Sequence, residues 1–285
     1  MKKEFNLINE LKEHVFVVAH RGTVGGNVPP NTPLSFDAAI LDGADMVELD
    51  VEKSKDGTLY CFHGGNEVPH LMMHLPFRTL YDKDIKDLRY VNADLSPTQY
   101  PVYTLDEVFE HLKGRTYINV DKFQLYPREI TECIRRHNMQ DQIVVKTDAT
   151  PALLDLVECY ASDINYIAIM ENEDRFTDVI KNKNIRYVGV EAVFATEDAP
   201  ICQPEYIEKM HNQGLALWGN GIVFNYRRVL SAGHTDDVSV SGNPDAGWGW
   251  LLDRGFDLVQ TDFTSQLRRY MDQYYKTHSR RTCVR

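Results

Sequence analysis

Short apolar runs rich in Val, Ile and Tyr alternate along the chain with stretches of helical spacing. Nine of these runs are predicted to be strands, at 15–19, 46–50, 58–62, 116–121, 143–146, 165–170, 186–190, 215–218 and 257–261. Amphipathic helices are predicted between several of them, at 32–41, 105–112, 127–138, 151–160 and 204–213. This alternation over the whole length indicates parallel strands with helices packed outside them.

The number of alternating units favours an α/β fold of the TIM (β/α)8 barrel type. Such a barrel typically takes about 250 residues, which suits a chain of 285 residues with one predicted strand to spare. An open doubly wound sheet is the alternative, but its Gly-rich phosphate loop is missing after the first predicted strand. The sequence there reads HRGTVGG, and no helix follows at once. No internal repeat or Ser/Gly-rich linker interrupts the chain, so one domain over residues 1–285 is expected.

The charge balance limits the classes of binding partner that are expected. The chain has 31 basic and 42 acidic side chains, a net charge of −11. An acidic surface repels nucleic acid and anionic membranes, so neither is an expected partner, and a phosphate-bearing ligand needs local cations. No apolar run approaches the roughly 20 residues that span a bilayer, so stable membrane insertion is not expected. The sequence predicts no oligomeric state.

Two features of the sequence indicate the expected cellular compartment, namely the first residues and the cysteines. The opening segment MKKEFNLINELKEH lacks the apolar core of a signal peptide. The chain as given is therefore expected in the cytoplasm, although a protein from which an export signal had been removed would look the same. The cysteines are five in number and widely scattered, which fits neither a disulfide framework nor a paired zinc signature.

Polar residues gather at the ends of the first three predicted strands. The first strand leads into His20 and Arg21, the second contains Glu48 and Asp50, and the third runs into His63. The carboxyl ends of the strands in a parallel barrel meet at one rim, where such barrels place their active sites. The strand ends are therefore expected to converge.

Glu48 and Asp50 are two residues apart, so they share one face of their strand. Two neighbouring carboxylates repel each other unless a cation lies between them. Ligation by oxygen alone favours a divalent Mg²⁺ or Ca²⁺ over zinc. A Glu-x-Asp pair can also be neutralised by Arg or Lys at a solvated strand end, but the flanking histidines favour the metal.

The two histidines suit proton transfer. An imidazole pKa of about 6.5 allows one of His20 and His63 to act as base and the other as acid near neutrality. Arg21 offers a planar set of donors that matches a phosphate.

Residues 17–67, VVAHRGTVGGNVPPNTPLSFDAAILDGADMVELDVEKSKDGTLYCFHGGNE, resemble the glycerophosphodiester phosphodiesterases. That family's pattern is His-Arg-Gly, Glu-Asn-Thr, Glu-x-Asp-Val, Lys-Asp-Gly and then His. Weaker similarities continue to about residue 264. The resemblance implies a phosphodiesterase barrel in which His20 and His63 are the acid and base, Glu48 and Asp50 bind the metal, and Arg21 binds the phosphate of a small-molecule diester.

The sequence departs from the family pattern at three places. Pro30 and Gly64 stand where glutamate and aspartate are usual. The family's Glu-x-Lys is replaced by adjacent Asp121 and Lys122, which strand alternation sends to opposite faces. Either Asp121 completes the metal site or Lys122 meets the phosphate, and we favour Asp121 because Asn119 would share its face.

Further residues at strand ends are candidates for substrate binding. Lys146 is either a second phosphate contact or a lysine whose stem packs at the barrel rim. Glu171, Glu191 and Asp262 are candidates for holding substrate hydroxyls. Trp218 either contacts an apolar part of the substrate or packs in the core.

The leading hypothesis is a metal-dependent hydrolase that converts glycerophosphodiesters to an alcohol and glycerol phosphate. The attacking hydroxyl can come from water or from the glycerol itself. One alternative is a phospholipase acting on lysophospholipid or phosphoinositide head groups. Another is a barrel that binds phosphoesters without catalysis, in which Pro30 and Gly64 mark lost activity.

Overall fold

The computed structural model describes residues 4–223, 225 and 227–278. Its ten strands, numbered along the chain, are β1 (Phe16–Ala19), β2 (Met46–Leu49), β3 (Val51–Lys53), β4 (Leu59–Cys61), β5 (Tyr117–Val120), β6 (Ile143–Asp148), β7 (Asn165–Glu171), β8 (Tyr187–Val193), β9 (Ala216–Asn220) and β10 (Leu258–Thr261). Eight of them close into a parallel barrel in the order β1-β2-β5-β6-β7-β8-β9-β10. The pairing Val17↔Val259 joins the last strand to the first. The predicted TIM barrel is confirmed.

The spare predicted strand, 58–62, lies outside the barrel. Within it, β4 pairs antiparallel with β3, with Val51 opposite Cys61. Only a short turn separates the two strands, and Gly57 supplies its positive φ of 98°. A parallel crossover needs a dozen or more residues, so this turn permits only a hairpin. The expectation that His63 ends a barrel strand is therefore wrong, because it follows a hairpin strand.

The helices surround the barrel, except that the first packs through Leu7 and Leu11 against the apolar cluster of the barrel interior. They are α1 (Leu7–Glu13), α2 (Pro33–Leu41), α3 (Glu67–Leu71), α4 (Asp82–Ile85), α5 (Leu105–Leu112), α6 (Pro127–His137), α7 (Pro151–Tyr160), α8 (Thr177–Lys181), α9 (Pro204–Asn212), α10 (Asp236–Val240), α11 (Trp250–Arg254) and α12 (Thr264–Thr277). The five predicted helices agree with α2, α5, α6, α7 and α9 within one residue at either end. Thr32, Thr104 and Thr150 cap α2, α5 and α7 by accepting backbone N–H groups. Among the described residues, no helix is both long and apolar enough to cross a membrane.

The barrel interior determines which side chains reach the rim. Every second residue of a strand points inward, and an apolar cluster that includes Val18, Met46, Tyr117 and Leu258 fills the interior. A second and larger cluster lies between the strands and the helices. Counting two residues onward from Val18 and Met46 gives His20 and Glu48. The polar candidates therefore form the next layer on the inward faces.

Candidate active site

Three carboxylates converge at the carboxyl ends of β2 and β5. Oxygen atoms of Glu48, Asp50 and Asp121 all lie within 4.8 Å of one another. Glu48 and Asp50 are buried, at 3% and 1% exposed. Asp121 is drawn to them because its backbone N–H donates to the carbonyl of Leu49 at 2.8 Å.

The structure brings both Asp121 and Lys122 to this cluster, so the two predicted alternatives do not exclude each other. Lys122 has a φ of 63°, and this left-handed residue ends the strand alternation that would have separated them. Its Nζ lies 3.3 Å from Oδ2 of Asp121. Burial would raise the pKa of Asp121, but the charges of Lys122 and Lys146 outweigh it and lower that pKa.

The donor atoms of the cluster fit a hard divalent cation. Oδ1 of Asp50 is buried and has no hydrogen-bond partner among the described residues. Burial, followed by the charge of Asp50, raises the pKa of Glu48 to about 7. A cation held by these oxygens would relieve both the missing partner and the mutual repulsion. Mg²⁺ and Ca²⁺ prefer such oxygen ligands.

Asn31 holds Asp50 in place, a role that the sequence analysis missed. Its Nδ2 donates to Oδ2 of Asp50 at 3.0 Å, and its Oδ1 accepts the backbone N–H of Asp50 at 3.0 Å. Asn31 has a φ of 59°, a conformation that Asn adopts more readily than most residues. The signal available in the sequence was an Asn directly before the Thr32-Pro33 helix start.

The segment after β1 turns sharply into the cluster. Arg21 has a φ of 58°, and its backbone N–H donates to Oε2 of Glu48 at 2.9 Å. Its side-chain Nε lies 2.9 Å from Oδ2 of Asp50. A Cβ at Gly22, where φ is 82°, would lie 2.6 Å from Ser35 of α2. The His-Arg-Gly sequence therefore serves the geometry of this turn as well as its chemistry.

His20 is paired with Asp262, which follows β10. Nδ1 of His20 lies 2.8 Å from Oδ1 of Asp262. Burial lowers the pKa of His20, but the hydrogen bond to Asp262 and the charge of Glu48 outweigh it, so the pKa is raised. Asp262 is one of the three candidates for holding substrate hydroxyls, and the structure places its carboxylate against this imidazole.

His63 reaches the cluster through the hairpin of β3 and β4. Its Nε2 lies 3.9 Å from Oδ1 of Asp50, and burial lowers its pKa. A Cβ at Gly64 would collide with Oε2 of the buried Glu52. Gly64 therefore makes room for a carboxylate from the neighbouring strand, and its departure from the family pattern has a local structural reason.

Lys146, Glu191 and Trp218 form a buried network inside the barrel. Lys146 Nζ lies 2.6 Å from Oε2 of Glu191 and 3.9 Å from the centre of the Trp218 ring. Asn220 donates to the other oxygen of Glu191 at 2.9 Å. Lys146 is only 4% exposed, so it is not a lysine at a solvated rim. Substrate binding by these three residues stays a prediction.

Comparison with known proteins identifies similar sequences. The sequence model of the Glycerophosphoryl diester phosphodiesterase family matches residues 20–266. A glycerophosphodiester phosphodiesterase of Bacillus altitudinis is 49% identical over 148 residues, which cover 46% of this chain and 57% of that protein. The chain covers 57% of the length of the first curated relative that it matches, and 19% of the next.

Solved structures share the fold at low sequence identity. A glycerophosphoryl diester phosphodiesterase of Parabacteroides distasonis has a TM-score of 0.77 and 13% identity, with 95% of this chain and 93% of that chain covered. A phosphodiesterase of Oleispira antarctica, solved with the product sn-glycerol-3-phosphate, has a TM-score of 0.63 and 16% identity. That comparison covers 90% of this chain and 96% of the other.

Proposed function

Because the chain belongs to the Glycerophosphoryl diester phosphodiesterase family, we propose that it hydrolyses glycerophosphodiesters to an alcohol and glycerol phosphate. One observation supports this most strongly. The carboxylates of Glu48, Asp50 and Asp121 lie together beside Arg21 and His63. The relative from Bacillus altitudinis carries the same activity in its name. The product bound to the Oleispira antarctica phosphodiesterase, sn-glycerol-3-phosphate, is a glycerol phosphate of the kind that the proposed reaction releases.

Glu48, Asp50 and Asp121 are proposed to hold one divalent cation, Mg²⁺ or Ca²⁺. Such an ion neutralises charge on the phosphoryl oxygens. Asn31 and Arg21 fix one oxygen of Asp50 and leave the other without a hydrogen bond among the described residues. Asp50 is therefore held in one orientation while its second oxygen stays available to bind the cation.

The two imidazoles are proposed to act as an acid and a base. The pKa of His20 is raised and that of His63 is lowered, and these directions favour His20 as the proton donor and His63 as the acceptor. His63 takes the proton of the attacking hydroxyl as the new bond to phosphorus forms. His20 gives a proton to the alkoxide as the old bond breaks. Asp262 holds Nδ1 of His20 and leaves Nε2 for the reaction.

Charge near the phosphate is proposed to come from basic side chains of this chain. The guanidinium of Arg21 lies beside Asp50, with Nε 2.9 Å from Oδ2, and its terminal nitrogens suit a planar contact with phosphoryl oxygens. Lys122 lies at the edge of the same cluster, 29% exposed at its side chain. Lys146 is buried more deeply and is paired with Glu191. It is proposed to contribute positive charge to the phosphate site from the barrel interior, and Glu191 and Trp218 are proposed to line the inner side of the substrate site.

The test is hydrolysis of glycerophosphocholine followed by ³¹P NMR, with Mg²⁺ or Ca²⁺ added to chelator-treated protein. We expect glycerol phosphate from the wild type and from His74→Ala, which removes an exposed histidine nearby in sequence. We expect turnover to fall by about a hundredfold or more in His63→Ala. Near wild-type turnover in His63→Ala would show the acid–base assignment to be wrong.

The same assay separates the alternatives. A cyclic phosphate signal would identify the glycerol hydroxyl as the attacking group. Faster turnover of micellar lysophosphatidylcholine than of glycerophosphocholine would favour the phospholipase. Thermal stabilisation by glycerophosphocholine without any product would favour a barrel that only binds phosphoesters.

A further inference from the structure

A buried carboxylate outside the proposed machinery lies directly behind the partner of His20. It belongs to Asp236 at the start of α10, the first α-helix after β9 among the described residues. Asp236 is 2% exposed. No basic side chain is paired with it among the described residues, so its contacts are those of hydrogen-bond donors.

Three donors converge on this carboxylate. Oδ1 accepts the indole N–H of Trp248 at 2.7 Å and the hydroxyl of Thr261 at 2.8 Å. Oδ2 accepts the backbone N–H of Asp262 at 2.8 Å. The Thr261 hydroxyl in turn accepts the backbone N–H of Phe263 at 2.9 Å, so its own proton is directed to Asp236.

The approach of Asp236 to the barrel depends on Gly221. The backbone N–H of Asp236 donates to the carbonyl of Gly221 at 2.6 Å. A Cβ at position 221 would lie 2.5 Å from Oδ1 of Asp236. The absence of a side chain there lets the carboxylate reach the end of β10, where Asp262 turns toward His20.

We infer that Asp236 is a positioning residue for His20 and acts through Asp262. Its carboxylate fixes the backbone N–H of Asp262, and this orients the Asp262 side chain that lies 2.8 Å from Nδ1 of His20. An acceptor with two oxygens is required because donors approach it from both the indole and the backbone. The role of His20 in catalysis rests on the proposed function, but the positioning itself does not.

The variant Asp236→Asn tests this inference. The amide offers one acceptor where the carboxylate offers two, so at least one donor faces an N–H group. Asp237→Asn is the matched control, since it makes the same change at the next residue of α10, on an exposed side chain. The primary measurement is the NMR titration of the His20 imidazole in chelator-treated protein, with its signal identified by its absence from His20→Gln.

We expect the pKa of His20 to fall in Asp236→Asn and to stay unchanged in Asp237→Asn. On glycerophosphocholine with Mg²⁺, we expect kcat to fall about tenfold or more in Asp236→Asn while KM changes less than about twofold. Gly221→Ala gives a second, independent test, because its Cβ displaces the carboxylate without changing any charge. The same fall in the pKa of His20 is expected there.

An unchanged His20 pKa in a folded Asp236→Asn protein would overturn the inference. Unfolding of both Asp236→Asn and Gly221→Ala would also overturn it, because a purely structural role of Asp236 would then explain the loss of activity. Absence of hydrolysis by the wild type would instead refute the proposed function. The NMR titration would still decide whether Asp236 positions His20.

Discussion

The two hydrogen bonds that join Asn31 to Asp50 allow a quantitative prediction. Replacing Asn31 by Gly removes both hydrogen bonds to Asp50. Gly tolerates the φ of 59° at this position without strain, so the variant isolates the side chain. An Ala variant would add the strain of a left-handed Cβ and confuse the two effects.

The magnitude follows from the two lost contacts. A hydrogen bond to an ionised carboxylate contributes about 1.5 to 3 kcal/mol, and a buried N–H left without a partner costs about 1 to 3 kcal/mol. Asp50 is 1% exposed and Asn31 is 2% exposed, so water cannot readily replace either contact. We expect the free energy of unfolding to fall by about 3 to 5 kcal/mol. The affinity for the divalent cation should fall about 10- to 100-fold, since Asp50 loses its orientation.

The assay is urea unfolding in chelator-treated protein, followed by calorimetric titration with Mg²⁺ and Ca²⁺. Asn27→Gly serves as the control, because this exposed Asn accepts a hydrogen bond only from the half-buried Asn92 among the described residues. The control should lie within about 0.5 kcal/mol of the wild type. A similarly small change in the free energy of unfolding of Asn31→Gly, together with unaltered metal affinity, would show that Asn31 does not hold Asp50 in place.

Three further predictions concern the site and its surroundings. Lys146→Met leaves the carboxylate of Glu191 buried without its cation, so urea unfolding should show a loss of about 3 to 5 kcal/mol that the double variant with Glu191→Gln largely recovers. A cation at 100 times its Kd should stabilise the wild type by about 2.7 kcal/mol in thermal unfolding but have little effect on Asp121→Asn. Burial raises the pKa of Asp236 from 3.8 to about 6, so this group stabilises the fold below its unfolded pKa and the contribution disappears as pH rises through the folded pKa. The stability of the wild type relative to Asp236→Asn should therefore fall by up to about 3 kcal/mol between about pH 4 and about pH 7, as urea unfolding at each pH would show.

The sequence was most informative where a local pattern determines the structure. Short apolar runs between stretches of helical spacing predicted the barrel strands, and strand alternation placed Glu48 and Asp50 on one face. The helices predicted to begin at residues 32 and 151 begin in the structure at Pro33 and Pro151, each after a capping threonine. These features depend on neighbours along the chain, so a single sequence reveals them.

The parts that were missed depend on backbone turns and on residues far apart in the chain. The left-handed φ of Lys122 brings it in beside Asp121, which strand alternation alone excludes. Asp262 reaches His20 across the closure of the barrel, 242 residues away along the chain. Asp236 reaches Asp262 only because α10 packs against Gly221. None of these contacts has a periodic signature in the sequence.

The most direct test of the proposed metal and phosphate site is a crystal structure of the protein grown with Mg²⁺ or Ca²⁺ and glycerol phosphate. We expect one ion bound by the oxygens of Glu48, Asp50 and Asp121, with the phosphate against Arg21 and between His20 and His63. Glycerol phosphate bound elsewhere, or a cluster that holds no ion at millimolar metal, would contradict this expectation.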